Sequence, residues 1–144
     1  MRGGPSHPFE RKNLPSLPPT SQEQNDWFQH PKTLLEGRGF APRKSLGQNF
    51  LIDARIFDTI IAVARLTEND FVIEIGAGTG DLTRCLCRRA RAVMAIEIDP
   101  LLYEVCKERL GDCHNLNLVH NDVLERSGQL QPFVLEAIKG WTDA

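Results

Sequence analysis

The chain lacks any apolar run approaching the eighteen or so residues that a bilayer-spanning helix requires. Nor do its first residues show the positive segment and apolar stretch of a secretory signal. Cysteine is sparse, and Cys85, Cys87, Cys106 and Cys113 form neither a Cys-x-x-Cys pair nor a Cys/His zinc spacing. Cys85 and Cys87 stand two apart in a predicted helix and so point to different faces. They read as buried or half-buried thiols in a reducing compartment, with no metal. His7, His30, His114 and His120 are scattered and carry no assigned chemistry. Composition is ordinary, at 41% hydrophobic and 25% charged, and 144 residues allow one α/β domain. These absences predict a cytoplasmic protein without a membrane segment.

A strong charge of one sign is also missing, but the net −2 hides an asymmetry. Residues 1–45 carry seven Lys/Arg against four Asp/Glu, and residues 46–144 carry ten against fifteen. The first 25 residues are rich in Pro, Ser, Gln and Asn and are predicted to be a disordered leader. Residues 26–43 read as a helix-like stretch from Asp26 to Leu35, with Trp27, Leu34 and Leu35 as apolar contacts, followed by a basic linker. Arg38, Arg43 and Lys44 lie just before the core. They are either a solvated linker or, for Arg43 and Lys44 above all, a weak candidate contact to an RNA backbone.

What the chain does have is glycine in one place. Phe71-Val72-Ile73-Glu74-Ile75 reads as a buried strand that breaks into Gly76-Ala77-Gly78-Thr79-Gly80 and opens a helix at Asp81. Such a turn at the carboxyl end of a parallel strand is where open α/β sheets bind nucleotides. The dinucleotide fingerprint G-x-G-x-x-G does not fit, because its third glycine falls on Asp81 or on Thr83. An aspartate at the helix start also opposes a pyrophosphate. A ligand with a cationic sulfonium and no phosphate, S-adenosylmethionine, suits this acid-lined turn better. The bland alternative is a turn that only packs helix on strand.

Two further strand ends point to the same crevice. Ala92-Val93-Met94-Ala95-Ile96 runs into Glu97-Ile98-Asp99-Pro100. Glu97, about twenty residues beyond the turn, is placed to accept hydrogen bonds from ribose hydroxyls. Asp99 before Pro100 reads instead as a helix N-cap. Leu116-Asn117-Leu118-Val119-His120 closes on Asn121-Asp122, and Asp122 is a candidate acceptor for an adenine amino group. Upstream, Gly47-Gln48-Asn49-Phe50-Leu51 precedes Asp53, a plausible N-cap for an apolar helix carrying Ile56, Phe57, Ile60, Ile61 and Ala64. Gln48 and Asn49 either hold the amino-acid end of the cofactor or satisfy a turn.

Together, Lys44 to Leu51, Glu74 to Gly80, Ala95 to Asp99 and Asn121 to Leu124 resemble the first motifs of the rRNA adenine N6,N6-dimethyltransferases, more closely the KsgA-type small-subunit enzymes. The likeness covers about residues 40–125 in the family's order, and the Gly-Gln-Asn-Phe-Leu string is its discriminating part. It implies a Rossmann-like methyltransferase fold with S-adenosylmethionine across the ends of the first strands. Gln48, Asn49, Leu51, Glu74, Gly76, Gly78, Gly80, Glu97 and Asp122 would form the cofactor site. The implied substrate is adenine of small-subunit (16S) rRNA, flipped out of its stack for dimethylation.

The family's Asn-Leu-Pro-Tyr-type catalytic segment occurs nowhere in these 144 residues, so the resemblance assigns no catalytic residue within them. The expectation is the cofactor-binding, N-terminal portion of a longer enzyme, an α/β unit truncated after about three parallel strands. Residues 44–125 would be that portion and residues 126–144 a loop and short helix, from Pro132 to Lys139. With no partner for the far edge of strand 71–75, residues 1–144 alone should unfold with weak cooperativity and associate. The competing reading is a non-catalytic module that binds S-adenosylmethionine or RNA. A nicotinamide-dependent oxidoreductase is disfavoured by Asp81.

Overall fold

The computed structural model describes residues 28–43 and 46–142. The predicted leader, Trp27 and Lys44 lie outside them. Five helices and three strands are found among the described residues: α1 (Pro31–Leu35), α2 (Ala54–Ala64), β1 (Phe71–Ile75), α3 (Asp81–Cys87), β2 (Ala92–Glu97), α4 (Pro100–Arg109), β3 (Leu116–His120) and α5 (Pro132–Thr142). The strands form one parallel sheet in the order β1-β2-β3. Parallel strands need crossover connections, and α3 and α4 supply them.

The sheet register sorts the apolar residues onto two faces. Val72, Val93 and Leu116 align across it and meet Leu86 and Ala90, with Ile61 of α2 packed on the same cluster. Ala95 on that face meets Ala77, Cys106 and Leu110. On the opposite face Met94 and Ile96 pack with Val134 of α5, joined by Phe71, Ile73 and Val119. β2 is therefore buried along its whole length, and its large apolar side chains each contribute about 1.5–3 kcal/mol by leaving water. The outer edge of β1 has no strand partner among the described residues, and Ile75 at its end is 62% exposed.

Helix starts follow the predicted chemistry. Asp53 accepts from the Arg55 N–H at 3.0 Å, and Asp99 accepts from Leu101 and Leu102 at 2.9 and 3.3 Å, with Pro100 at the first helical position. Two helices differ from expectation. Of the helix foreseen from Asp26 to Leu35, Asp26 and Trp27 lie outside the described residues, and among the described ones α1 begins only at Pro31, because a proline disfavours helical backbone in the residue before it and His30 has ψ near 128°. The His30 ring nitrogen Nδ1 caps Lys32 at 3.2 Å. α5 runs on to Thr142 rather than ending at Lys139. Trp141 in its last turn stacks on Phe71 at 5.2 Å, with the Arg91 guanidinium over its ring at 5.3 Å.

Candidate cofactor site

The glycine turn joins β1 to α3, and its three glycines all take positive φ, near 80°, 60° and 82°. They differ in what surrounds them. A Cβ at Gly76 would meet nothing within 4 Å, whereas one at Gly80 would lie 3.0 Å from Leu110 Cδ1 and 3.3 Å from Cys106 Sγ. Gly76 thus leaves open space, and Gly80 permits the close approach of α4. At Gly78 an added Cβ would touch the Phe50 ring at 3.6 Å. Phe50 in turn packs edge-on to Phe40 at 5.6 Å, so the Gly-Gln-Asn-Phe segment lies against the turn.

One hydrogen-bonded chain ties these parts together. The Gly78 N–H donates to Glu97 Oε2 at 2.8 Å, and the Asp99 N–H donates to Glu97 Oε1 at 2.9 Å. Asp99 Oδ2 then accepts from Gln48 Nε2 at 3.1 Å, while Gln48 Oε1 accepts from the Arg43 N–H at 2.7 Å. The sequence separated Glu97 as a ligand group from Asp99 as a cap. The structure makes Asp99 both cap and anchor for the upstream segment. Glu97 is 4% exposed, yet each carboxylate oxygen accepts one backbone bond and keeps capacity for another. Both polar ends of Gln48 are engaged within the fold.

Other site residues are distributed differently. Asn49 and Leu51 are exposed on the upstream segment. Asp122 is exposed beyond β3, where its Oδ1 accepts from the Leu124 N–H at 2.9 Å and shapes the turn. Arg43 is exposed, with its Nε 3.9 Å from Asp99 Oδ2. Glu74 faces α3 rather than solvent. It is 8% exposed, and its Oε2 accepts from the Thr83 hydroxyl at 2.6 Å. Burial, only partly offset by that bond and reinforced by Glu97 and Asp81, pushes its carboxyl up to about 8. Glu74, Asp81, Glu97 and Asp99 are all buried in this one region. Of these four, Glu74 keeps its proton near neutral pH and Asp81 is paired with Arg109, which leaves Glu97 and Asp99 as the carboxylates beside the turn that oppose a phosphate.

Sequence reasoning missed the contribution of α4. Arg109 Nη2 pairs with Asp81 Oδ1 at 2.9 Å, Arg109 Nη1 donates to the Thr79 carbonyl, and the Cys106 thiol donates to the Gly78 carbonyl at 3.1 Å. Asp81 and Arg109 stand 28 residues apart, and no local pattern announces the pair. Among the described residues no His/Cys/Asp/Glu group fit to hold a metal ion is found, and no helix is long and apolar enough to cross a membrane.

Three comparisons with known proteins bear on this geometry. A family model for ribosomal RNA adenine dimethylases matches residues 39–133. Ribosomal RNA small subunit methyltransferase A of Natranaerobius thermophilus is 46% identical over 92 residues, 64% of this chain and 30% of that protein. The same-named protein of a Geobacillus species is 41% identical over 112 residues, 78% of this chain and 38% of the relative. The chain thus spans about a third of the length of the curated relatives it matches. Among solved structures, a dimethyladenosine transferase from Plasmodium falciparum is similar with a TM-score of 0.51 and 32% identity, over 58% of this chain and 30% of that one. The 23S rRNA methyltransferase ErmE is similar with a TM-score of 0.51 and 34% identity, over 65% of this chain and 42% of its own. The matched span takes in the glycine turn, Glu97, Asp122 and the upstream Gln48 segment alike, and on that span the chain belongs to the ribosomal RNA adenine dimethylase family.

Proposed function

We propose that this chain supplies the S-adenosylmethionine-binding part of an enzyme that dimethylates adenine N6 in small-subunit rRNA, acting in the cytoplasm. The observation that carries the reading is the chain Gly78–Glu97–Asp99–Gln48, which fastens the upstream segment to two strand ends around the open side of Gly76. Bound there, S-adenosylmethionine would supply an electrophilic methyl group that leaves a neutral thioether. The residues of the chain bind and orient. Gly76 lets the ligand approach the main chain, Glu97 offers its remaining acceptor capacity to ribose hydroxyls, and Asp122 offers its carboxylate to an adenine amino group. Asn49 and Leu51 would line the upstream side. The Glu97 carboxylate, bonded to the turn at Gly78, favours a sulfonium over a pyrophosphate. Because such displacement needs reactants held in line, rigidity around the turn is the protein's main contribution here. Arg43 at the edge of the site, with Lys44 next to it in the sequence, suits contact with an RNA backbone.

The test uses the full-length protein, methyl-labelled S-adenosylmethionine and unmodified small ribosomal subunits, with large-subunit rRNA as the control. Label recovered as N6,N6-dimethyladenosine from small-subunit rRNA is the expected result. Label on another base, or on large-subunit rRNA only, would overturn the substrate. Cofactor binding without any transfer would favour the non-catalytic module instead.

A further inference from the structure

The glycine turn is held from the side of α4 by contacts that make no approach to the open space at Gly76. Arg109, in the last turn of α4, places one guanidinium nitrogen on the Thr79 carbonyl and another 2.9 Å from Asp81 Oδ1. Those acceptors flank Gly80, and the Thr79 hydroxyl closes the loop by donating to Asp81 Oδ2 at 2.5 Å. Solvent is largely excluded, with Arg109 and Asp81 side chains 14% and 4% exposed. Cys106, one turn back on α4, donates its thiol to the Gly78 carbonyl at 3.1 Å, and Leu110 seats against Gly80. From the other direction Arg84 of α3 donates to the Arg109 carbonyl and pairs with Asp112 at 3.0 Å, so the two helices grip each other at this corner.

A turn with three positive-φ glycines has little intrinsic preference for one shape. An external template must select it. A planar guanidinium that fixes two acceptors on either side of Gly80 does so in a way a lysine ammonium, a single flexible point charge, does not. We propose that Arg109 is a positioning residue for the cofactor site, holding the glycine turn in its binding shape through the Thr79 carbonyl and Asp81. This inference rests on the S-adenosylmethionine reading of the turn. Charge neutralisation of Asp81 is the competing, purely structural role.

The two roles separate in a set of variants of the full-length chain, followed by thermal unfolding, by amide hydrogen exchange without ligand, and by calorimetric titration with S-adenosylhomocysteine. Arg109→Met strands a buried carboxylate and should lose both stability and affinity. The double variant Asp81→Asn/Arg109→Met removes that stranded charge. It should recover most of the melting temperature lost in Arg109→Met while its affinity stays about tenfold or more down, because the Thr79 carbonyl is no longer held. Arg109→Lys, which keeps the charge, should leave the melting temperature nearly unchanged while amides 76–80 exchange faster and affinity falls. Recovery of affinity together with stability in the double variant would overturn the proposal, as would unchanged exchange in Arg109→Lys. A wild-type protein that fails to bind S-adenosylhomocysteine would refute the cofactor reading itself, and this proposal with it, before any variant is compared.

Discussion

The two halves of the candidate site are built in opposite ways. The inner half, the turn 76–80 with Glu97, hangs on β2, which is buried along its length, and on α4, which grips the turn's carbonyls. The outer half, residues 46–52, is irregular, with Leu51 and Ile52 39% and 63% exposed. It is attached through Gln48 to Asp99 and through Phe50 to Gly78 and Phe40. The inner half is thus preshaped by the fold, and the outer half hangs on it through the side chains of Gln48 and Phe50. A ligand that needs both would bind weakly to either alone.

This contrast breaks most visibly at the inner half. Gly80→Ala forces a side chain into positive φ and against Leu110 and Cys106, and should destabilise by about 2–4 kcal/mol in chemical denaturation. Gly76→Ala, with the same backbone strain but open space around its Cβ, should cost only about 1–2 kcal/mol. Equal losses at the two glycines would erase the distinction between the packed and the open end of the turn.

Glu97→Ala comes next. It leaves the N–H groups of buried Asp99 and half-buried Gly78 without their acceptor, and since water can reach Gly78 the loss should be about 1–2 kcal/mol of stability in all. Cofactor affinity should fall by about 1–3 kcal/mol in a titration if the carboxylate also takes the ribose. An unchanged affinity would remove Glu97 from the site.

A pH dependence sharpens the inner half further. Glu74 has its carboxyl raised from 4.5 to about 8 in the folded protein. Between those values the native state binds the proton that the unfolded chain has lost, so stability should fall as pH rises from about 4.5 to about 8. Melting curves of Glu74→Gln should lose that component. The smallest effect is expected at the outer half. Gln48→Ala should cost about 1 kcal/mol of stability and should speed amide exchange around Phe50. If exchange at residues 76–80 rose equally, the two halves would be one cooperative unit.

Much of the fold around the site was legible because its signals are local. The β-branched run before Gly76, Asp99 before Pro100 and Asp53 before an apolar helix each encode an element within a few residues, and β1, α4 and α2 stand where those signals put them. The match to known relatives extends across Gln48 to Leu51, where composition alone left two roles open. What stayed illegible depends on distant pairing. Arg109 meets Asp81 only because the last turn of α4 lies beside the first turn of α3. The inward turn of Glu74 toward Thr83 follows from strand register, since Glu74 aligns with Ala95 on the face that the helices cover. The end of α5 was misjudged because Trp141 finds its partner in Phe71, seventy residues earlier.

The central claim is that the acid-lined turn accepts a sulfonium nucleotide rather than a pyrophosphate. Calorimetric titration of the full-length protein with S-adenosylmethionine and with NAD tests it directly. Saturable binding of S-adenosylmethionine, weakened by Glu97→Ala, with none of NAD, is the predicted result. Binding of NAD in preference, or no binding of S-adenosylmethionine, would contradict the account.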